Sequence, residues 1–121
     1  MTSNFFIGTD IVQVERIQKM LDKQSDKFIN RVFTKDESRY CLSKANPPIH
    51  FAGRFAAKES IKKCLLSSKI IKSIEFNQIE ILSDEDGAPY VHSINDLPIS
   101  DIKITISHEK DYATAMAMIT L

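Results

Sequence analysis

The chain has no excess of charge of either sign. Sixteen Lys and Arg residues balance sixteen Asp and Glu, and the formal net charge at pH 7 is zero. A nucleic-acid binder normally shows a basic excess, so that class is not expected. Cysteine is scarce. Cys41 and Cys64 stand alone, without CxxC spacing, and read as reduced, partly buried thiols of a cytosolic protein. No basic segment opens the chain and an acid arrives as early as Asp10, so no signal peptide is expected. No apolar run approaches the roughly 20 residues of a membrane span. Internal repeats, low-complexity tracts and linkers are also missing. The 121 residues therefore read as one domain, 1–121, with room for a real core but little for a deep cleft within one subunit.

What is present centres on Phe51-Ala52-Gly53-Arg54-Phe55-Ala56-Ala57-Lys58-Glu59-Ser60 and its continuation to Lys62 and Lys63. Good helix formers fill the stretch, with Pro47 and Pro48 just upstream, where a helix can still be entered. The helix is expected to run to about Leu66. Ala52, Phe55, Ala56, Glu59 and Lys63 fall at i, i+3, i+4, i+7 and i+11, which places them on one stripe. That stripe predicts an inward Glu59, with Arg54, Lys58 and Lys62 on the neighbouring face. An inward carboxylate needs a cation or a metal. Two readings follow: a metal beside a polyphosphate, or a solvated face on which Lys63 answers Glu59.

Upstream, Phe5-Phe6-Ile7-Gly8-Thr9 reads as a strand, residues 5–9, that ends at Asp10. Asp10 suits either a metal ligand or the N-cap of a helix over 11–22 with Ile11, Val14, Ile17 and Leu21 inward. Phe28, Ile29, Val32 and Phe33 form a short helical apolar patch. Thr34 and Glu37 make a capping box that opens the helix carrying Tyr40. Residues 44–50 read as a loop. Beyond the central helix the chain is β-rich. Ile74 and Phe76 alternate, then Ile79 and Ile81 alternate in the opposite phase, which predicts a bulge near Asn77-Gln78. Asp84-Glu85-Asp86-Gly87 signals a hairpin. Ile102, Ile104 and Ile106 alternate with polar residues, and 113–121 alternates small and larger apolar residues. His108 lies in the polar turn between these two strands. The fold class is α+β, an antiparallel sheet of the N-terminal and C-terminal strands packed on a long central helix.

Four motifs carry a resemblance: Ile7-Gly8-Thr9-Asp10-Ile11-Val12, Arg31-Val32-Phe33-Thr34-Lys35-Asp36-Glu37, Phe51 to Glu59, and Ser107-His108-Glu109-Lys110-Asp111-Tyr112-Ala113. In order and spacing they are similar to those of the bacterial holo-acyl-carrier-protein synthases, the small class of 4′-phosphopantetheinyl transferases. The resemblance implies transfer of 4′-phosphopantetheine from coenzyme A to a serine of apo acyl carrier protein, Mg²⁺-dependent, within fatty acid biosynthesis. Adenosine 3′,5′-bisphosphate is the other product. It implies Asp10 and Glu59 as Mg²⁺ ligands and Lys63 on the pyrophosphate. It makes Arg54, Lys58 and His108 coenzyme contacts, and gives His50 and His92 no role. It implies docking of the acidic carrier protein on Arg16, Met20, Lys23, Lys27 and Arg31. A cytoplasmic homotrimer is expected, with sites between subunits and His108 serving a neighbour. The chain departs from the family at Leu66-Ser67-Ser68, where a glycine-containing turn usually approaches the coenzyme. Two other classes stay open on residues alone: a different Mg²⁺-dependent nucleotide enzyme and a non-catalytic interaction domain.

Overall fold

The computed structural model describes residues 4–94, 97 and 101–121. The elements run β1 (Phe5–Gln13), α1 (Val14–Gln24), α2 (Asp26–Val32), α3 (Lys35–Leu42), α4 (Pro47–Ser68), a 3₁₀ turn (Phe76–Gln78), β2 (Ile79–Ser83), β3 (Pro89–Ile94), β4 (Asp101–His108) and β5 (Tyr112–Thr120). One sheet has the antiparallel order β1-β5-β4, and β2 and β3 form a separate two-stranded sheet. The expected α+β architecture is therefore observed, with the β2–β3 hairpin split off from the main sheet.

The first strand is longer than its apolar run predicted. β1 pairs with β5 along its whole length, from Phe5 opposite Thr120 to Gln13 opposite Tyr112. Asp10 thus lies inside a strand and is not a helix cap, and α1 begins four residues later, with Gln13 as an N-cap that makes no side-chain bond. Strand periodicity then divides the residues between faces. Gly8, Asp10 and Val12 point toward α4, whereas Ile11 turns outward and is 65% exposed. The expected inward Ile11 is corrected for that reason. Val14 and Ile17 are buried as expected.

Helix α4 spans 22 residues, about 33 Å at 1.5 Å per residue. It packs against β1 and β5 on one side and α1, α3 and β2 on others. Being surrounded, it buries more than one stripe: Phe51, Ala52, Ala56, Ala57, Lys58, Ser60, Ile61, Cys64 and Leu65 are all inside. The expected stripe is thus half right. Ala52 and Ala56 are buried, but Glu59 is only half-buried, Lys63 is exposed, and Lys58 on the neighbouring face is fully enclosed. Gly8 makes the closest approach of β1 to α4 possible. A Cβ there would stand 2.1 Å from the Ser60 carbonyl oxygen.

The enclosed Lys58 is an anchor for its surroundings. Its ammonium donates to the carbonyls of Val32 (2.7 Å), Phe76 (3.0 Å) and Ile79 (2.7 Å) and meets Glu37 Oε1 at 2.6 Å. Glu37 also completes the expected capping box of α3, with the Thr34 amide donating to its Oε1, and its Oε2 accepts from the Ile81 amide at 2.7 Å. Burial pushes the Glu37 carboxyl up and the Lys58 ammonium down, against their mutual attraction. Downstream, the bulge sits between Glu80 and Ile81 and not at Asn77-Gln78, which belong to the 3₁₀ turn. The Asp84–Gly87 hairpin forms as expected, with Gly87 at φ +86°.

Removing Lys58 would leave the buried Glu37 carboxylate without its cation and take a donor from the Val32, Phe76 and Ile79 carbonyls. Lys58→Met is expected to cost about 3–5 kcal/mol of folding stability, read as a lower urea midpoint at unchanged slope. A loss under about 1 kcal/mol, the size of an exposed ion pair, would mean that the pair does not hold the fold together.

Candidate active site

Two neighbourhoods gather most of the chemistry-bearing residues. The first lies where β1 crosses α4. Strand alternation aims Asp10 at the helix, and the small Gly8 beside it lets the backbones close. Lys63 then bonds to the Thr9 carbonyl at 2.8 Å and to Asp10 Oδ1 at 3.1 Å. The Asp10 side chain is 15% exposed and that of Lys63 51%. An ammonium has three donors; two are used here and one is left for a ligand. Glu59 sits one helical turn before Lys63. It makes no ion pair among the described residues, so the expectation that Lys63 answers Glu59 gives way to Lys63 answering Asp10. No group of three or more His, Cys, Asp or Glu that could hold a metal is found among the described residues. Two hard carboxylate donors beside a lysine fit Mg²⁺, which takes one or two carboxylates and completes its shell with water and phosphate oxygens.

Glu59 also borders a groove of about 340 Å³ with Arg16, Met20, Arg31, Phe55 and Phe76. Its wall is aromatic: Phe55 and Phe76 stack at 5.5 Å, and the Arg16 guanidinium lies 5.8 Å from the Phe55 centroid. Arg16 and Met20 continue into a second groove with Lys23. Four of the five expected docking residues therefore adjoin one another, while Lys27 is exposed on α2 and lines neither groove.

The second neighbourhood is a small pocket of about 110 Å³ lined by Tyr40, His50, Arg54, Gly87, Pro89, Ile106 and His108. Arg54 is 5% exposed, its guanidinium lies 4.1 Å over the Tyr40 ring, and its Nη2 donates to Ser83 Oγ at 2.6 Å. Arg54 and His108, expected together on a coenzyme, do share this pocket. Lys58 does not: with no exposed surface and four acceptors already around three donors, it cannot reach a ligand, and its expected coenzyme role is withdrawn. His50, given no role from sequence, stands 5.5 Å from His108 ring to ring. The spacing of His50 four residues before Arg54 on one helical face was the available signal.

At the C-terminal end of α4, Lys69 adopts a left-handed conformation at φ +63°, the geometry glycine provides most easily. The Ser68 hydroxyl is occupied there, donating to the Leu65 carbonyl and accepting from the Ile70 amide. The turn that lacks glycine therefore still forms. No helix among the described residues is long and apolar enough to cross a membrane.

Comparison with known proteins gives a consistent picture. Residues 6–117 match the model of the 4′-phosphopantetheinyl transferase superfamily. A holo-[acyl-carrier-protein] synthase of Protochlamydia amoebophila is 45% identical over 117 residues, covering 93% of this chain and 94% of its own. A synthase of the same name from a Thermoanaerobacter species is 47% identical over 120 residues, covering 93% and 85%. Among solved structures, the holo-(acyl-carrier-protein) synthase of Bacillus anthracis in complex with CoA superposes with a TM-score of 0.82 at 31% identity, covering 98% of each chain. The Helicobacter pylori enzyme in complex with coenzyme A gives 0.81 at 30% identity, covering 93% and 98%.

Proposed function

Since the chain belongs to the 4′-phosphopantetheinyl transferase superfamily, we infer that it is a holo-[acyl-carrier-protein] synthase. It moves 4′-phosphopantetheine from coenzyme A to a serine of apo acyl carrier protein. We read 1–121 as one catalytic domain working in the cytoplasm, in fatty acid biosynthesis. The observation that carries the site assignment is the Lys63–Asp10 contact with an unpaired Glu59 one turn away.

The chemistry is displacement at the β-phosphorus. A bond forms from the serine oxygen to phosphorus, the bridging P–O bond breaks, and adenosine 3′,5′-bisphosphate departs with the bond's electron pair. The serine proton leaves to a base. Such transfers depend on in-line positioning and on neutralising charge at the phosphoryl oxygens. Lys63 is oriented by Asp10 and by the Thr9 carbonyl, and its remaining N–H is available to a pyrophosphate oxygen. Asp10 and Glu59 would hold Mg²⁺, which when bound supplies further positive charge at those oxygens. Glu59, at the lip of the groove that Arg16, Met20 and Arg31 line, stands where an incoming serine would be presented. Arg54 and His108 hold a distant part of the coenzyme. Arg16, Met20, Lys23 and Arg31, with Lys27 beyond them, form the face that meets the acidic carrier.

A homotrimer is proposed on the outer face of the main sheet. Phe5, Ile7 and Ile11 of β1 and Met116 and Met118 of β5 are 38–65% exposed there, and the register sets Ile7 beside Met118. A continuous apolar face of this kind marks an association surface. Ala113, Ala115, Ala117 and Ile119 point the other way, into the core. β5 is thus a core strand on one face and an interface strand on the other.

Mass spectrometry of an apo carrier protein incubated with coenzyme A, Mg²⁺ and this protein should show addition of the phosphopantetheine mass. No addition would defeat the functional reading. Asp10→Ala and Glu59→Ala should each lower turnover by about 100-fold or more with the fold intact by circular dichroism; near-normal turnover of either at low Mg²⁺ would sink the metal-site assignment. Arg16→Glu should raise the KM for carrier protein by about tenfold and leave that for coenzyme A unchanged. An equal rise in both would move Arg16 to the coenzyme. Finally, Glu59→Ala and His108→Ala, each inactive alone, should recover part of the activity when refolded together, because some mixed-trimer sites carry neither lesion. Mixed oligomers without recovery would mean that each subunit completes its own site.

A further inference from the structure

The pocket between α3, α4, β4 and the β2–β3 hairpin is unusual in what it holds together. His50 and His108 lie 5.5 Å apart ring to ring, and His50 meets Tyr40 at 5.9 Å. Arg54 follows His50 by one turn of α4 and is 95% buried, and its Nε is enclosed without a hydrogen-bond partner among the described residues. A buried guanidinium N–H without an acceptor is rare unless a ligand supplies one. Lys44, just past α3, also lies over the Tyr40 ring, at 4.7 Å.

The charges facing His50 can be taken element by element. From α3 come Tyr40 and, beyond its end, Lys44; from α4, Arg54; from β4, His108. The hairpin contributes Gly87 and Pro89, which carry no charge. Its Asp84 carboxylate is occupied by the amides of its own turn, Asp86 and Ala88. Cys41, buried beside Arg54, has its thiol pushed up to about 12 and stays neutral. No carboxylate among the described residues lines the pocket. His50 is therefore held below its ordinary range, first by burial and then by His108, Arg54 and Lys44.

We propose that His50 joins Arg54 and His108 in holding a phosphate monoester of the coenzyme, and that it accepts a proton when that anion binds. This rests on the reading of the pocket as a coenzyme site. A dianion among these groups offsets the positive charge of Arg54 and Lys44 around His50 and favours its charged form. The neutral imidazole has one ring N–H; the protonated ring has two, so charging also adds a donor. Binding and proton uptake are then linked, and affinity rises as pH falls through the range where the monoester is still dianionic, above its second pKa of about 6. The limit for one linked proton is tenfold per pH unit.

The test follows the His50 ring and coenzyme affinity together. Calorimetry between pH 8 and pH 7 should show coenzyme A binding strengthening several-fold with net proton uptake. Dephospho-coenzyme A, which keeps the pyrophosphate but lacks the monoester, should bind with little pH dependence. His50→Gln keeps a donor but cannot charge; it should bind coenzyme A at pH 8 and lose most of the gain at pH 7. Proton NMR of the His50 ring in the unaltered protein gives a second measurement that needs no variant: its titration should move upward with coenzyme A and stay in place with dephospho-coenzyme A. An unmoved ring, or an unchanged gain in His50→Gln, overturns the proposal while leaving the coenzyme site standing. If inorganic phosphate shifts the ring and coenzyme A does not, the pocket is a free-phosphate site and the proposal fails. If coenzyme A does not bind at any pH, the coenzyme reading falls and takes the proposal with it.

Discussion

One ammonium group ties the parts of this fold that no sheet connects. Lys58 reaches from the middle of α4 to the last residue of α2, the 3₁₀ turn, the first residue of β2 and the Glu37 side chain on α3. The Phe76 carbonyl also accepts from the Ile79 amide, so Lys58 adds a second bond there while joining it to the Val32 and Ile79 carbonyls. A charge in that position needs full compensation, and it has it: every donor is used and Glu37 is itself satisfied by Thr34 and Ile81. Glu80, in turn, bonds to the Thr34 hydroxyl, so the acid of β2 and the cap of α3 are fixed together. The geometry of the small pocket depends on this arrangement, because α3 and the hairpin supply its walls.

The second constraint is closeness. Gly8 allows β1 to lie almost in contact with the backbone of α4 at Ser60. Ser60 and Cys64 follow the same logic, small side chains whose donors reach carbonyls of the adjoining strands. At this separation Lys63 reaches both Asp10 and the Thr9 carbonyl. The Lys63–Asp10 contact thus depends on small residues on both partners, and the charged pair is placed by neighbours that carry no charge.

Residues of one type are sorted by the same packing. Lys58 is buried and structural, Lys63 is half-exposed and bonded to Asp10 and the Thr9 carbonyl, and Lys62 lies 4.0 Å over the Phe76 ring. Arg54 and Arg16 both rest on aromatic rings, yet one walls a small pocket and the other a wide groove. The sheet divides its residues likewise, with alanines toward α4 and methionines outward.

Sequence by itself determined the local structure and the family. The Thr34–Glu37 box, the Asp84–Gly87 turn and the Ile102–Ile106 alternation all follow from interactions a few residues long, whereas α4 starts at Pro47, inside the expected 44–50 loop, and runs to Ser68. Spacing alone left Asp10, Glu59 and Lys63 open between a metal site and ordinary capping or ion-pair roles, and the resemblance to the transferase family singled them out. Tertiary structure decided what periodicity cannot. A helical period says which residues share a face, not what covers it; α3 and β2 made the face of Lys58 the inner one and left Glu59 at the rim. A short apolar run marks a strand, but pairing with β5 carried β1 on to Gln13 and turned Asp10 from a cap into an inward-facing side chain. His50 and His108 are 58 residues apart in sequence, and only the packing of α4 against β4 brings their rings together.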